Sequence, residues 1–310
     1  MELIDFPPEI LYNILLKVDY RFLLTNCALV SRNWKNIIRH NHFMISYAFE
    51  WIDCYPRNLS RSPTEIDFCH TFFTNNQKNY SIPVKAIRAS STDHLSQHIA
   101  LTIAKNPNTF WSSSGTTSEN DDELLVYEVG MGVSVIKVIQ ISFFQANWLP
   151  FSNGRIPCFS SKSIRIEIIN ERDEIIYRSR NFKMEHRNRP QFFILPKPLF
   201  VFEGQKINLH LLGKSERQLT DNLFYTCVNN FSLYGFSSVN FPFQYIDGIF
   251  TKYSEEEHKN LKHAISQSVK ILHALATHIS RIPNLISGPR MSYYLEQLGK
   301  LNPRIREPTA

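Results

Sequence analysis

The chain has 310 residues, enough to bury a substantial core as one large domain or two smaller ones. Apolar residues make up 43% and charged residues 20%, which excludes an intrinsically disordered polymer. A formal charge of +6 permits contact with nucleic acid without arguing for it.

The 23 Phe and 13 Tyr against 10 Gly favour β-rich packing in part of the chain. The opening MELIDFPPEI lacks a basic region followed by an apolar run, so no signal peptide is expected. No apolar run nears the roughly 18 residues of a membrane-spanning helix. The five cysteines, at 27, 54, 69, 158 and 227, never form a CxxC pair. They read as reduced thiols of the cytoplasm or nucleus, neither a disulfide framework nor a zinc cage. The Asn-x-Ser triplets at Asn58, Asn79 and Asn230 then carry no glycan.

Residues 5–50 read as helical. Pro7 and Pro8 lack the N–H that a first helical turn leaves unbonded, and Glu9 suits the positive end of the helix dipole. Ile10, Leu11, Ile14, Leu15 and Val18 follow at the spacing of one stripe. Asp19 is the expected N-cap of a second helix bearing Phe22, Leu23, Cys27 and Val30. Ser31 is that of a third, with Trp34, Ile37, Ile38 and later Tyr47 on its inner face. Residues 51–83, mostly polar and turn-rich, are expected to connect this region to the next.

From about residue 84 to 240 the period changes from 3.6 to 2. Ile164, Ile166 and Ile168 alternate with polar residues, as do Ile207, Leu209 and Leu211, each set reading as a strand with one wet face. VSVIKVIQISFF, from Val133, suits a strand buried on both sides. QFFIL between Pro190 and Pro196, and LFYTCVNNFSLYG from Leu223, add further strands. Many short strands without intervening helices predict an antiparallel sandwich or jelly roll, making the chain an α+β, multi-module protein. Beyond it, Ser254 and Glu257 fit a capping box. Leu261, Ile265, Val269, Leu272, Leu275, Ala276 and Ile279 then make one stripe of an amphipathic helix over 254–282, followed by a tail over 283–310. No internal repeat is visible.

FPPEILYNIL followed by FLLTNCALVSRNWKNII resembles an F-box. Phe6, Pro7, Glu9, Ile10, Ile14, Leu15, Leu23, Leu24, Val30, Ser31, Arg32 and Trp34 stand in order at that family's positions. The resemblance implies docking to the Skp-type adaptor of a cullin–RING ubiquitin ligase through Phe6, Pro7, Glu9, Ile10, Leu11, Ile14, Leu15, Leu23, Leu24, Val30, Ser31 and Trp34. A bundle of about 40 residues is marginal alone and must lean on something. The expectation is an outward face, including Ile10, Leu11, Leu15 and Leu24, left uncovered by the rest of the chain.

A second stretch, Ala86 to Gly115, is similar to the opening of a discoidin-type, galactose-binding-like jelly roll. Ala89, Ser90, Ser91, Asn108, Thr109, Trp111, Ser112, Ser113 and Gly115 occupy its places. TIAKNPNTFW stands where that family often has an acidic residue and a glycine, which argues against a bound calcium or sugar. Trp111 reads as a core anchor beneath the loops. F-box plus this module resembles a group of plant-type F-box proteins, whose implied role is recruiting a protein substrate to the ligase without bond chemistry.

No catalytic motif, metal-ligand set or cofactor fingerprint is present, and no cofactor is expected. His258 and His263, like His273 and His278, lie five apart and so off one helix face. Asp121, Asp122 and Glu123 read as a solvated loop. YRSRNFKMEHRNRP, from Tyr177, reads first as a wet charged hairpin and alternatively as a contact for phosphate or an acidic segment. Substrate-contacting loops are sought around Ser91–Ser96, Asn147–Arg155 and Ser215–Asn222. Two rivals stay open: a glycan- or ligand-binding sandwich with no ligase role, and a nucleic-acid contact through the basic hairpin.

Overall fold

The computed structural model describes residues 7–55, 63–75, 79–130, 132–149 and 154–237, then 243–246, 249–252 and isolated positions between 255 and 267. The amino-terminal helices begin where local chemistry sets them. Helix α1 (Pro8–Leu15) starts with Pro at its first position behind an extended Pro7. The Asp19 carboxylate accepts from the amides of Arg21 and Phe22 at 3.0 and 3.3 Å and opens α2 (Tyr20–Phe22). A π turn over Leu23–Cys27 widens the helix before α3 (Ala28–Val30). Ser31 Oγ accepts from the Trp34 amide at 3.2 Å and caps α4 (Arg32–Arg39).

Helix α5 (Asn41–Trp51) closes the bundle. Its Tyr47 hydroxyl donates to the Val18 carbonyl and its Trp51 indole N–H to the Leu16 carbonyl, both at 2.7 Å. Those bonds satisfy carbonyls that the end of α1 leaves unpaired.

The expected connecting segment contains a helix, α6 (Pro63–Asn75). Phe68, Cys69, Phe72 and Phe73 are all buried on it. The pairs 68/72 and 69/73 have helical spacing, but the polar residues among them and the turn-formers ahead of them hid that period.

The strands in chain order are β1 (Tyr80–Ile82), β2 (Val84–Ala89), β3 (Trp111–Ser112), β4 (Glu123–Val129), β5 (Val133–Phe143), β6 (Ser161–Ile169), β7 (Ile175–Arg178) and β8 (Phe182–Lys183). After them come β9 (Gln191–Phe202), β10 (Lys206–Lys214), β11 (Glu216–Arg217), β12 (Phe224–Tyr225), β13 (Cys227–Ser237), β14 (Phe243–Ile246) and β15 (Ile249–Lys252). One sheet runs β1-β13-β5-β9 with β3 beside β13, and the other runs β2-β4-β10-β6-β7 with β8 on β6. Every pair within these two sheets is antiparallel. β11 pairs with β12 and β14 with β15 as separate hairpins.

The alternation seen in the sequence is the core pattern. Leu209 lies between Ile166 and Leu125 in register, and all three point at the opposite sheet. Ile136, Ile139, Ile141 and Phe143 of β5 meet them from the other side. β5 is buried on both faces because it lies between two packing environments, and its register with β9 shifts between Ile136 and Val138. Before that shift, Val133 and Val135 face the helices, joining Phe200 and Phe236 in one core with Leu11, Leu15, Leu23, Tyr47, Phe68 and Phe72.

The joint is also hydrogen-bonded. The pairing of β9 with β5 shifts register around Pro196-Lys197-Pro198, where the Asp53 amide donates to the Pro198 carbonyl at 2.8 Å and the Phe200 amide to Asp53 O at 2.9 Å. Lys197 Nζ reaches the Glu50 carbonyl at 2.8 Å. The chain leaving α5 thus lies along the β9 edge, the place where prolines leave a strand least protected.

Of the expected carboxy-terminal helix, Glu255, Glu256, Lys259, Asn260, His263, Ser266 and Gln267 are helical. The cap residues Ser254 and Glu257, the stripe from Leu261 to Ile279, and the tail over 283–310 lie outside the described residues. No helix among the described residues is long and apolar enough to cross a membrane.

Candidate functional site

Helix α1 carries two apolar faces where the spacing read as one. Leu11 and Leu15 point inward and are covered, Leu15 completely. Ile10 and Ile14, one residue and so about 100° round from them, stay 47% and 44% exposed. The paired leucines divide in the same way, with Leu23 buried and Leu24 38% exposed on the π turn. Phe22 at 53%, Leu29 at 80% and Val30 at 54% complete a set of outward apolar side chains between residues 10 and 30. Pro7 and Glu9 are exposed ahead of them.

The expected adaptor residues therefore separate. Pro7, Glu9, Ile10, Ile14, Leu24 and Val30 are open to a partner. Leu11, Leu15 and Leu23 are corrected to core residues, because α5, α6 and the sandwich edge already cover them. Ser31 serves as a cap and Trp34 is half-buried, while Phe6 lies outside the described residues. Phe22 and Leu29 were missed as surface candidates. Their signal was present, since Leu29 is a large apolar residue off the stripe that Leu23, Cys27 and Ile38 occupy.

The profile of the F-box domain family matches residues 3–46, which take in α1 to α4 and the first half of α5. The bundle is an F-box domain. Over 181 residues the chain is 29% identical to an F-box protein of Arabidopsis thaliana, covering 48% of this chain and 46% of that one. The chain thus spans about half the length of that relative. Among solved structures it is similar to the family 32 carbohydrate-binding module of Clostridium perfringens NanJ in complex with galactose. That match has 16% identity and a TM-score of 0.38, covering 51% of this chain and 99% of that one. It is also similar to a chitosan-binding module from a Paenibacillus chitosanase/glucanase, at 11% identity and a TM-score of 0.34, covering 50% and 95%.

Behind the F-box, the second motif is structural. Trp111 is fully buried, and its indole N–H donates to the Ser91 carbonyl at 3.1 Å. The serines around it serve a buried ion pair, Lys214 Nζ to Glu123 Oε1 at 2.9 Å. Ser90 and Ser91 donate their hydroxyls to the other carboxylate oxygen, at 2.5 and 2.8 Å. Lys214 donates also to Ser113 Oγ and the Ser114 carbonyl, each at 3.3 Å. Glu123 was expected in a solvated loop; it is instead the first residue of β4 and almost wholly covered. A buried pair survives only when its remaining lone pairs and protons are satisfied, and here the motif serines do that.

The three expected substrate loops do not converge on one spot. Ser91–Ser96 is tied down, with the Asp93 amide bonded to the Ser112 carbonyl at 3.0 Å. The other two meet the basic hairpin: Arg155, Ser215 and Glu216 share with Arg187, Asn188 and Arg189 the walls of a cleft of about 840 Å3. On one side of it His186 Nδ1 lies 3.0 Å from the hydroxyls of both Ser160 and Ser215, and Nε2 lies 2.9 Å from Glu216 Oε2. Ser160 is sealed from solvent, and the exposed Ser215 donates its hydroxyl to the Ser160 carbonyl at 2.6 Å, so these groups brace the wall of the cleft. Burial and the neighbouring Glu216 push the Cys158 thiol up to about 12, which keeps it protonated. Among the described residues no group of three or more His, Cys, Asp or Glu converges as if around a metal ion.

Proposed function

We propose that this chain is the substrate-recognition subunit of an SCF-type cullin–RING ubiquitin ligase, its F-box docking the Skp-type adaptor and its sandwich recruiting the target. It makes and breaks no bonds; it raises the concentration of a target lysine near the ubiquitin-charged enzyme. F-box domains bind Skp-type adaptors, and one observation supports that role here above all. Six large apolar side chains between residues 10 and 30 are open to solvent, although Leu11, Leu15, Tyr20, Leu23 and Cys27 of the same segment are buried.

Covering what remains exposed on those six side chains would supply about 5–9 kcal/mol gross, at about 1.5–3 kcal/mol per fully buried side chain. Association itself costs about 4–15 kcal/mol. The apolar face is therefore necessary and needs the polar rim, including Glu9 and the exposed end of α1, to reach a stable complex.

The five cysteines are all free thiols, which fits the reducing cytoplasm or nucleus in which such a ligase would work. The domain limits that follow are an F-box over 5–50 and a receptor over 84–240, with α6 belonging to their joint.

Deleting residues 1–44 is a poor test, because Val133, Val135, Phe200 and Phe236 would lose their cover. The better test is affinity purification of the intact chain and of the Ile10→Asp/Ile14→Asp variant, followed by mass spectrometry. The intact chain is expected to bring down a Skp-type adaptor and a cullin, and the variant neither. A folded intact chain that captures no adaptor would leave the ligand-binding sandwich without a ligase role as the better reading.

A further inference from the structure

The first sheet ends on β9, and the first half of that strand has an open edge. Further along, the edge is taken by the chain leaving α5, where Asp53 bridges to Leu199. Over Gln191–Leu195, β9 pairs with β5 on one side and with no other strand among the described residues. In an antiparallel pair alternate residues turn their N–H and C=O away from the partner, so this stretch presents backbone donors and acceptors to a further strand. Edges are usually guarded by a charge, a proline or a bulge. Here Pro190 and Pro196 bound the stretch, and none of the residues between them is charged or proline.

Phe193 packs against Phe182 at 5.1 Å between ring centroids and Leu195 is buried, so the inward side chains anchor the strand. The alternate pair, Phe192 and Ile194, points outward and stays 60% and 73% exposed. The Gln191 side chain accepts from the Glu185 amide at 2.8 Å and donates to the Glu185 carbonyl at 2.9 Å, which fixes where the strand starts. A strand held in place beforehand loses little freedom when another joins it.

The flanking charges select the occupant. Arg189 lies exposed just before the stretch, with no carboxylate partner among the described residues. Lys197 lies just after it, its Nζ on the Glu50 carbonyl, while the Glu50 carboxylate pairs with Lys17 at 2.6 Å. A second copy of β9 paired about a twofold axis at Phe193 would set Arg189 opposite Lys197, cation against cation, which disfavours it. Acidic residues at those two places would instead be attracted.

We propose that this edge of β9 takes an extended segment of the recruited protein as an added strand, with apolar residues at alternate positions and acidic residues beyond both ends. Main-chain bonds supply the pairing, while Phe192 and Ile194 select the alternate apolar side chains. The inference rests on the receptor reading, which makes the ligand a recruited protein.

The probe is a fluorescent peptide with the core Val-Thr-Val-Thr-Val and two acidic residues at each end, and its binding to the full chain is read by anisotropy. One control peptide has lysines in place of the acids, and another has proline in place of the central valine. The acid-flanked peptide is expected to bind at least about tenfold more tightly than either control. Phe192→Ser and Ile194→Ser are each expected to lose about fivefold, with melting temperatures unchanged because both side chains are exposed. Arg189→Glu should narrow the preference for acidic over lysine flanks. Equal binding of the three peptides, no binding of any, or serine variants that behave as wild type would overturn the proposal. So would a wild-type dimer in sedimentation velocity that the serine variants abolish, which would assign the edge to a second copy.

Adaptor co-purification is measured on the same samples. Retained adaptor without peptide binding sinks the edge alone. Selective peptide binding by a chain that captures no adaptor sinks the ligase reading alone.

Discussion

Replacing Ile10 with Asp separates the docking face from the fold. Ile10 is the third residue of α1 and remains 47% exposed, so about half of its burial is already made within the chain. Losing that half costs the monomer about 1 kcal/mol, from about 1.5–3 kcal/mol for a full side chain. An acid in the first helical turn returns about 0.3–1 kcal/mol through the dipole, so the net change in stability is small. At the adaptor interface the variant loses the other half, about another 1 kcal/mol, and brings a carboxylate to a surface that must be dried. Leaving even a neutral polar group buried and unpaired costs about 1–3 kcal/mol. The sum, about 2–4 kcal/mol, is a loss of about 30-fold to 1,000-fold in affinity. The assay pairs a thermal melt with biolayer interferometry against purified Skp-type adaptor, with Leu15→Asp as the contrast expected not to fold, since Leu15 is wholly enclosed. An Ile10→Asp chain that melts like wild type and binds the adaptor within threefold of it would refute the reasoning.

Three other outcomes follow from the sandwich and its ionisable groups. A Cβ on Gly235 would overlap the carbonyl oxygen of Val135 on the paired strand, so Gly235→Ala should lower the urea midpoint by the equivalent of about 1–3 kcal/mol or more; an unchanged midpoint would show that β13 and β5 part easily. Lys214→Met leaves the Glu123 charge buried without its cation and should cost about 3–5 kcal/mol, part of which Glu123→Gln restores in the double variant; additive losses in the double-mutant cycle would contradict the pairing. Burial pushes the Glu167 carboxyl up, but the His210 hydrogen bond and Arg178 outweigh it and hold the group below its ordinary 4.5. Its stabilisation is therefore full above that value and fades as pH falls through the lower folded value, so wild type and Glu167→Gln should converge in urea midpoint on acidification. A constant gap between them from neutral pH to pH 3 would exclude this linkage.

Much of the fold could be read locally. Asp19 and Ser31 cap helices because each side-chain oxygen bonds amides only two or three residues ahead. Ile164, Ile166, Ile168 and Ile207, Leu209, Leu211 alternate because successive residues of a strand face opposite sides. The order of apolar, proline, acidic and serine positions from Pro7 to Trp34 marked the F-box before any contact was known, and residues 3–46 match that family. Helix α6 escaped because a short amphipathic pattern broken by polar residues is weak until a partner surface selects it. That surface is formed by Phe200 and Phe236, more than a hundred positions away.

The amino-acid order by itself determined where helices begin, where the period changes to that of strands, and that an F-box lies at the amino end. Tertiary packing alone decided which side of α1 is left open, since Ile10 and Leu11 are chemically alike and differ only in what other elements bring against them. It also decided that Glu123 meets Lys214 across 91 positions, and that Arg155 shares a cleft with Arg187 and Arg189. Periodicity and capping are set by neighbours within a turn or two. Burial and charge pairing depend on surfaces that the chain brings together only when it closes on itself.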